Sequence, residues 1–218
     1  MCDFIPSKDF LKIIDSPQNV QMVRAGSSEN LSVTAAVQSD IKITAPEDAV
    51  KTFRRESIWT LTDEIYDARG EKWIPLPGDK ILDTSKSSWT ILETKHFPLT
   101  GRWKCKTLDV RLTYGLDTWL HFFRAKWNLN NMGVPVPEYE LKMTGINAKI
   151  IPLETSSKTG FNELLYEIFF ETFIDPMQND CFQTPDSRRF LVKEFHPNIL
   201  EGNISRCVVE KMNHLEVK

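Results

Sequence analysis

The side chains able to ligate metals or act as nucleophiles are few, and their spacing does not suit chemistry. Four histidines (His96, His121, His196, His214) and four cysteines (Cys2, Cys105, Cys181, Cys207) make no HExxH, HxH or CxxC pattern. Structural and catalytic zinc sites draw on closely spaced ligand pairs, so neither a metal nor any other cofactor is expected. No GxSxG, Walker loop or GxGxxG occurs. Gly101-Arg102 and Gly202-Asn203 read as strand-turn glycines, too isolated to cradle a phosphate. The carboxylate pairs Asp63/Glu64 and Glu167/Glu171 read as solvated strand positions, not acid/base couples. The expectation is a protein that is not an enzyme.

Trp103, Trp119 and Trp127 could act as stacking platforms for single-stranded nucleic acid. The cations around them (Arg102, Lys104, Lys106, Arg124, Lys126) are balanced by acids, and the whole chain of 218 residues carries a formal charge of −3. That balance argues against sequence-specific nucleic-acid binding but is compatible with the wall of a channel through which DNA passes. The scattered cysteines suggest free thiols in a reducing compartment. No apolar run approaches the ~20 residues that span a bilayer, and MCDFIPSKDFLK lacks the order of a signal peptide.

The elements that must position these residues repeat. In the stretch from Pro77 to Val110, Gly78-Asp79 opens a unit, Trp89, Ile91 and Glu93 alternate along a strand, and Gly101 marks a turn. Asn179-Asp180, Phe190, Val192, Glu194 and Gly202 repeat that order, each 101 positions later from Asp79 onward (180−79, 190−89, 202−101). Asn replaces Gly where positive φ is needed, so the same turn is available to both copies. VQMVR (Val20 to Arg24) and LHFFR (Leu120 to Arg124) extend the match, with the two arginines in step. An offset of 101 held without a gap from Asp79 to Gly101, with 100 for the VQMVR/LHFFR pair, indicates a tandem duplication. The division expected is 1–113 and 114–218, with RLTYGL as linker, each half large enough for its own core.

Within each half the pattern is mainly β. Val20–Arg24 and Ser32–Ile43 read as a hairpin, Thr44–Glu56 as a loop or short helix, and IWTLTDEIYDARGEKW as two strands around Gly70. In the second half LKMTGINAKIIPL is a strand. Asn162 to Ile174 is a long strand by its Phe, Tyr, Ile and Thr content, although Glu and Leu would also permit a helix. Ser7 can cap a short N-terminal helix with Phe10 and Ile14 on its apolar stripe, ended by Ser16-Pro17. Such an arm is too short to stand alone and must pack on its own domain or on a neighbouring subunit.

Function is expected where the copies differ. The segment 128–140 (NLNNMGVPVPEYE) reads as a long hairpin loop in the second copy. It is stiffened by Pro135 and Pro137 and tipped by Met132, Val134 and Val136, as a contact element or a plain surface loop. On the 162–174 strand, Tyr166, Ile168, Phe170, Thr172 and Ile174 face the core. Glu167, Phe169, Glu171 and Phe173 form an outward face suited to a subunit contact, or one covered by the arm or the other domain. The candidate interface is therefore Phe10, Ile14, Met132, Val134, Val136, Glu167, Phe169, Glu171 and Phe173. Gly78, Asp79, Trp89, Ile91, Gly101, Asn179, Asp180, Phe190, Val192 and Gly202 are assigned to the scaffold.

Two stretches, GDKILDTSKSSWTILETKHFPLTGRWKCKTLDV and FFRAKWNLNNMGVPVPEYELKMTGINAKIIPLE, resemble the head–tail connector proteins of tailed bacteriophages, the head-closure or adaptor family. The resemblance implies two tandem small antiparallel β-barrels. It further implies a homo-oligomeric ring in the virion neck, between the portal or adaptor and the tail terminator or tail tube. Such a ring surrounds the DNA channel, contacts packaged DNA only non-specifically and has no membrane partner. The protein would be made in the cytoplasm of the host bacterium. Family members usually carry one such barrel, so the doubling is a departure. The alternative is a tandem OB-like module for single-stranded nucleic acid.

Overall fold

The computed structural model describes residues 17–25, 30–44, 54–85, 87–153, 165–171 and 174–212. The N-terminal helix with Phe10 and Ile14, and also Phe173, Cys2 and His214, lie outside the described residues. The chain divides between Gly115 and Leu116 into two units.

The first unit is built from strands β1 (Gln18–Val23), β2 (Asn30–Thr44), β3 (Arg54–Thr62), β4 (Lys80–Leu82), β5 (Ser88–Phe97) and β6 (Arg102–Leu108). They pair antiparallel in the order β1-β2-β3-β6-β5-β4, and β4 returns to β1 through Val23↔Lys80, so the sheet closes into a barrel. Inward-pointing residues of these strands build its core: Val20, Met22, Val33, Trp59, Leu61, Ile81, Trp89, Ile91 and Cys105 are all buried. The second unit has β7 (Thr118–Leu129), β8 (Pro135–Pro152), β9 (Leu165–Glu171), β10 (Cys181–Gln183), β11 (Arg189–Leu200) and β12 (Ile204–Lys211). Its pairing order, β7-β8-β9-β12-β11-β10, is that of the first unit shifted by six strands, and β10 again returns to β7 through Cys181↔Phe123. Leu120, Phe122, Ile168, Phe170, Phe182, Phe190 and Val192 fill its core.

The repeated turn residues behave as their spacing predicts. Gly78 (φ 93) and Asn179 (φ 73) both take positive φ, as do Gly101 (φ 58) and Gly202 (φ 79). The Gly78 N–H donates to the Ile91 carbonyl at 2.8 Å, and the Asn179 N–H donates to that of Val192 at 2.9 Å. One detail corrects the simple alternation. Register shifts between Ile91 and Glu93, and at the equivalent place between Val192 and Glu194. These bulges turn both glutamates outward while Trp89, Ile91, Phe190 and Val192 stay in the core.

Four further expectations change. RLTYGL is no linker: Val110–Tyr114 forms a short helix, α1, capped by Asp109, whose carboxylate accepts from the Leu112 N–H. Its Val110, Thr113 and Tyr114 are buried, so it belongs to the first unit. Arg54–Glu56 open β3 rather than ending a loop or helix. The second strand of IWTLTDEIYDARGEKW reduces to one bridge, Tyr66↔Lys72, around Gly70. Most of 128–140 is strand, not loop, for reasons given below.

Cys105, Cys181 and Cys207 are free and buried, and burial pushes their thiols up to about 12, 11 and 12. The thiolate is the reactive form, so all three should resist alkylation at pH 8. Mass spectrometry after a short iodoacetamide pulse should find them unmodified in the native protein and fully modified in denaturant. Labelling of any of the three at the native rate of a small-molecule thiol would contradict this packing.

Candidate contact surface

Each unit closes its strand ring with the same buried carboxylate. Asp79 sits directly before β4, where its Oδ1 accepts from the Ala25 N–H at 3.1 Å and its Oδ2 from the Leu76 N–H at 3.1 Å. The Arg24 guanidinium reaches Oδ2 at 2.6 Å, also donates to the Ile74 carbonyl, and lies over the Trp73 ring. In the second unit Asp180 accepts from Ala125 N–H at 2.9 Å and Met177 N–H at 2.8 Å. Arg124 approaches it at 3.4 Å, donates to the Asp175 carbonyl and lies over Phe122. These clusters tie the first strand to the turn before the fourth in each unit, just past the end of β1 in the first and midway along β7 in the second. They are scaffold, as assigned from the sequence for Asp79 and Asp180. The arginine partners are visible as residues in step, but only the pairing of β1 with β4, and of β7 with β10, brings them to the carboxylates.

Beyond this cluster the two units differ. In the first, the β1–β2 pairing ends at Val23↔Asn30. In the second, β7 and β8 pair onward from Arg124↔Glu140 to Leu129↔Pro135, forming a two-stranded ribbon. The other neighbour of β7, β10, stops at Phe123, and β9 covers β8 only from Ala148. The ribbon therefore lacks flanking strands among the described residues. The prolines, read as loop-formers, fit the ladder because of their register. The Asn130 N–H donates to the Val134 carbonyl, which makes 130/134 a hydrogen-bonded pair and 129/135 and 127/137 non-hydrogen-bonded ones. Pro135 and Pro137 thus sit where the N–H would point away from β7, the sites an edge strand leaves to proline.

Alternation sorts the ribbon into two unlike faces. On one, Phe123, Ala125, Trp127 and Leu129 stand opposite Leu141, Tyr139, Pro137 and Pro135. On the other are Arg124, Lys126, Asn128, Val136, Glu138 and Glu140. Here Lys126 pairs with Glu140, Lys142 reaches Glu140 at 2.6 Å, and Asn128 donates to Glu138 at 2.6 Å. Hydrogen bonds from Lys126 and Lys142 hold the Glu140 carboxyl at about 2, well below the usual range. The charged face is satisfied within itself, whereas the apolar face is open: Trp127 is 56% exposed and Leu129 72%.

Of the expected contact residues, Met132 (88% exposed) and Val134 lie at the ribbon tip, and Val136 is exposed on the charged face. The outward face of β9 differs from expectation. Phe169 is 3% exposed, and Glu167 is held by Arg206 at 3.1 Å, leaving Glu171 half-buried. Of its expected core face, Ile168 and Phe170 are buried and Tyr166 and Ile174 pack against them, while Thr172 lies outside the described residues. Trp127, Leu129, Tyr139 and Leu141 were missed as a set. Their signal was present, as apolar residues at alternate positions on both sides of Asn130–Gly133, with prolines in phase.

The other chemistry-bearing residues are dispersed. Trp103 packs on the core edge and stacks on His96 at 4.4 Å, so it offers no free face of the kind expected. Trp119 is half-exposed and meets His121 edge-on. Among the described residues, no three His, Cys, Asp or Glu side chains gather as a metal site, and no helix is long and apolar enough to cross a membrane. A groove of about 250 Å³ on the first sheet is lined by Lys42, Lys95, Lys104 and Lys106, interleaved with Asp40, Glu56 and Glu93. In the comparison with known proteins, no family model, no curated protein and no solved structure matches the chain.

Proposed function

We propose that the protein is a structural component of a bacteriophage neck. In this reading it is a ring-forming connector of two tandem small barrels, joining the portal or adaptor on one side to the tail on the other. The observation that carries this reading is the repetition of one six-strand scaffold, latch included, with a long amphipathic ribbon added to the second copy. A wall element needs a rigid repeated frame and one protruding surface for assembly, and the frame and ribbon divide those tasks. The virion neck is the corresponding location, and the DNA would pass the wall without base-specific contacts.

Negative-stain electron microscopy of the purified chain, alone and mixed with portal and tail proteins of the same phage, tests the proposal. Closed rings with a central hole are expected. A chain that stays monomeric in both samples would overturn it. The half-exposed Trp119 and Trp127 favour a second reading, in which single-stranded nucleic acid stacks on them. Salt-dependent binding of an unstructured oligonucleotide would support that reading, and no binding at low salt would remove it.

A further inference from the structure

The apolar face of the β7–β8 ribbon is the surface whose chemistry the scaffold does not use. Two modes of docking are open to such a ribbon: addition of a strand to its edge, or burial of its face. Edge addition needs outward N–H groups. Pro135 and Pro137 have none, and the outward N–H of Ala125 is taken by Asp180. Both edges are therefore impaired for strand pairing where they leave the barrel or run toward the tip. The face is not. It presents Trp127, Leu129, Pro135, Pro137, Tyr139 and Leu141 without a charge among them, while the lysines and glutamates are paired on the reverse side.

We infer that this face packs flat against a second copy of the chain and forms the main contact between successive subunits. The inference rests on the ring reading, which supplies a copy as the neighbour. The size of the surface is consistent with that occupant. The exposed parts of six such side chains and the Met132 tip amount to roughly 500 Å², the larger share of the ~800 Å² that each partner buries in a standard interface. Tryptophan and tyrosine at its centre are the residue types that dominate such contacts. An acidic or basic partner is disfavoured, since the charges that would meet it are turned away.

The test is sedimentation velocity of the full-length chain over a hundredfold range of concentration, with two variants. Trp127→Glu/Leu129→Glu places charges on the apolar face, and Asn128→Lys places one on the reverse face. Wild type and Asn128→Lys should assemble alike, and the double variant should run as the 25.2 kDa monomer. All three side chains are exposed, so an unchanged near-ultraviolet circular dichroism spectrum certifies the fold. An assembled wild type with an equally assembled double variant overturns this inference and leaves the ring standing. Loss of assembly in Asn128→Lys as large as in the double variant overturns the choice of face. A wild type that is monomeric throughout overturns the inference, while the ring is decided by the mixture with portal and tail proteins.

Discussion

Asp79→Ala should destabilise the first unit by about 3–5 kcal/mol, and Asp180→Ala the second by a similar amount, because each leaves an arginine and two backbone N–H groups without their acceptor. Asp79 and Asp180 are buried, and each joins an N–H of its own turn to an N–H and a guanidinium from a strand far away in sequence. For a domain of this size that loss should lower the melting temperature by roughly 15–25 °C. Calorimetry of the two variants is the measurement, and a loss below about 1 kcal/mol in either would show that its cluster does not hold the ring closed. The pH dependence is specific. Burial raises the Asp79 carboxyl above its ordinary range, outweighing the N–H groups of Ala25 and Leu76 and the charge of Arg24. The folded state therefore binds this proton more tightly than the unfolded chain does. The increment of stability linked to this proton is complete below the unfolded value and is lost as pH rises through the raised one, while the hydrogen bonds to the carboxylate remain. Asp79→Asn cannot titrate and should flatten that part of the stability profile.

Trp89→Ala should cost about 4 kcal/mol, from lost burial and the cavity left behind. Trp89 is fully buried, lies edge-on to Trp59 at 6.5 Å, donates from its indole nitrogen to Asp83 at 3.0 Å and carries the Arg55 guanidinium over its ring. The second unit places Phe190 at this point, edge-on to Tyr166 at 5.3 Å. Trp89→Phe imports that solution and should recover most of the loss, to within about 2 kcal/mol of wild type. Urea denaturation of the three proteins gives the comparison. A Phe variant as damaged as the Ala variant would mean that the Asp83 hydrogen bond and the cation contact outweigh ring volume.

The scaffold was legible because its requirements are local. Positive φ at Gly78 and Asn179 restricts residue type at one position, and a buried Trp89, Ile91, Phe190 or Val192 leaves a period-two trace. The bulges at Ile91/Glu93 and Val192/Glu194 left no such trace, since one extra residue reverses the facing without altering composition. The ribbon reads as a loop in sequence for a related reason. Proline signals the absence of one N–H, which suits a loop and equally an edge position in a strand. Only the hydrogen bond from Asn130 to Val134 fixes which applies. RLTYGL reads as a connector because its apolar residues are too few to show a period. Asp109 and the left-handed Gly115 that end the helix are cues only once its burial against the first sheet is known.

The prolines of β8 also bear on how a chain with an exposed apolar ribbon avoids aggregation. A chain carrying an exposed apolar ribbon is a candidate for cross-β aggregation, since exposed paired strands template further strands. Pro135 and Pro137 act as gatekeepers along the outer border of β8 toward the tip, where a stray strand would otherwise join. The ribbon can thus stay apolar on its face and inert to strand addition along that border, which guards the chain against growth into a fibril.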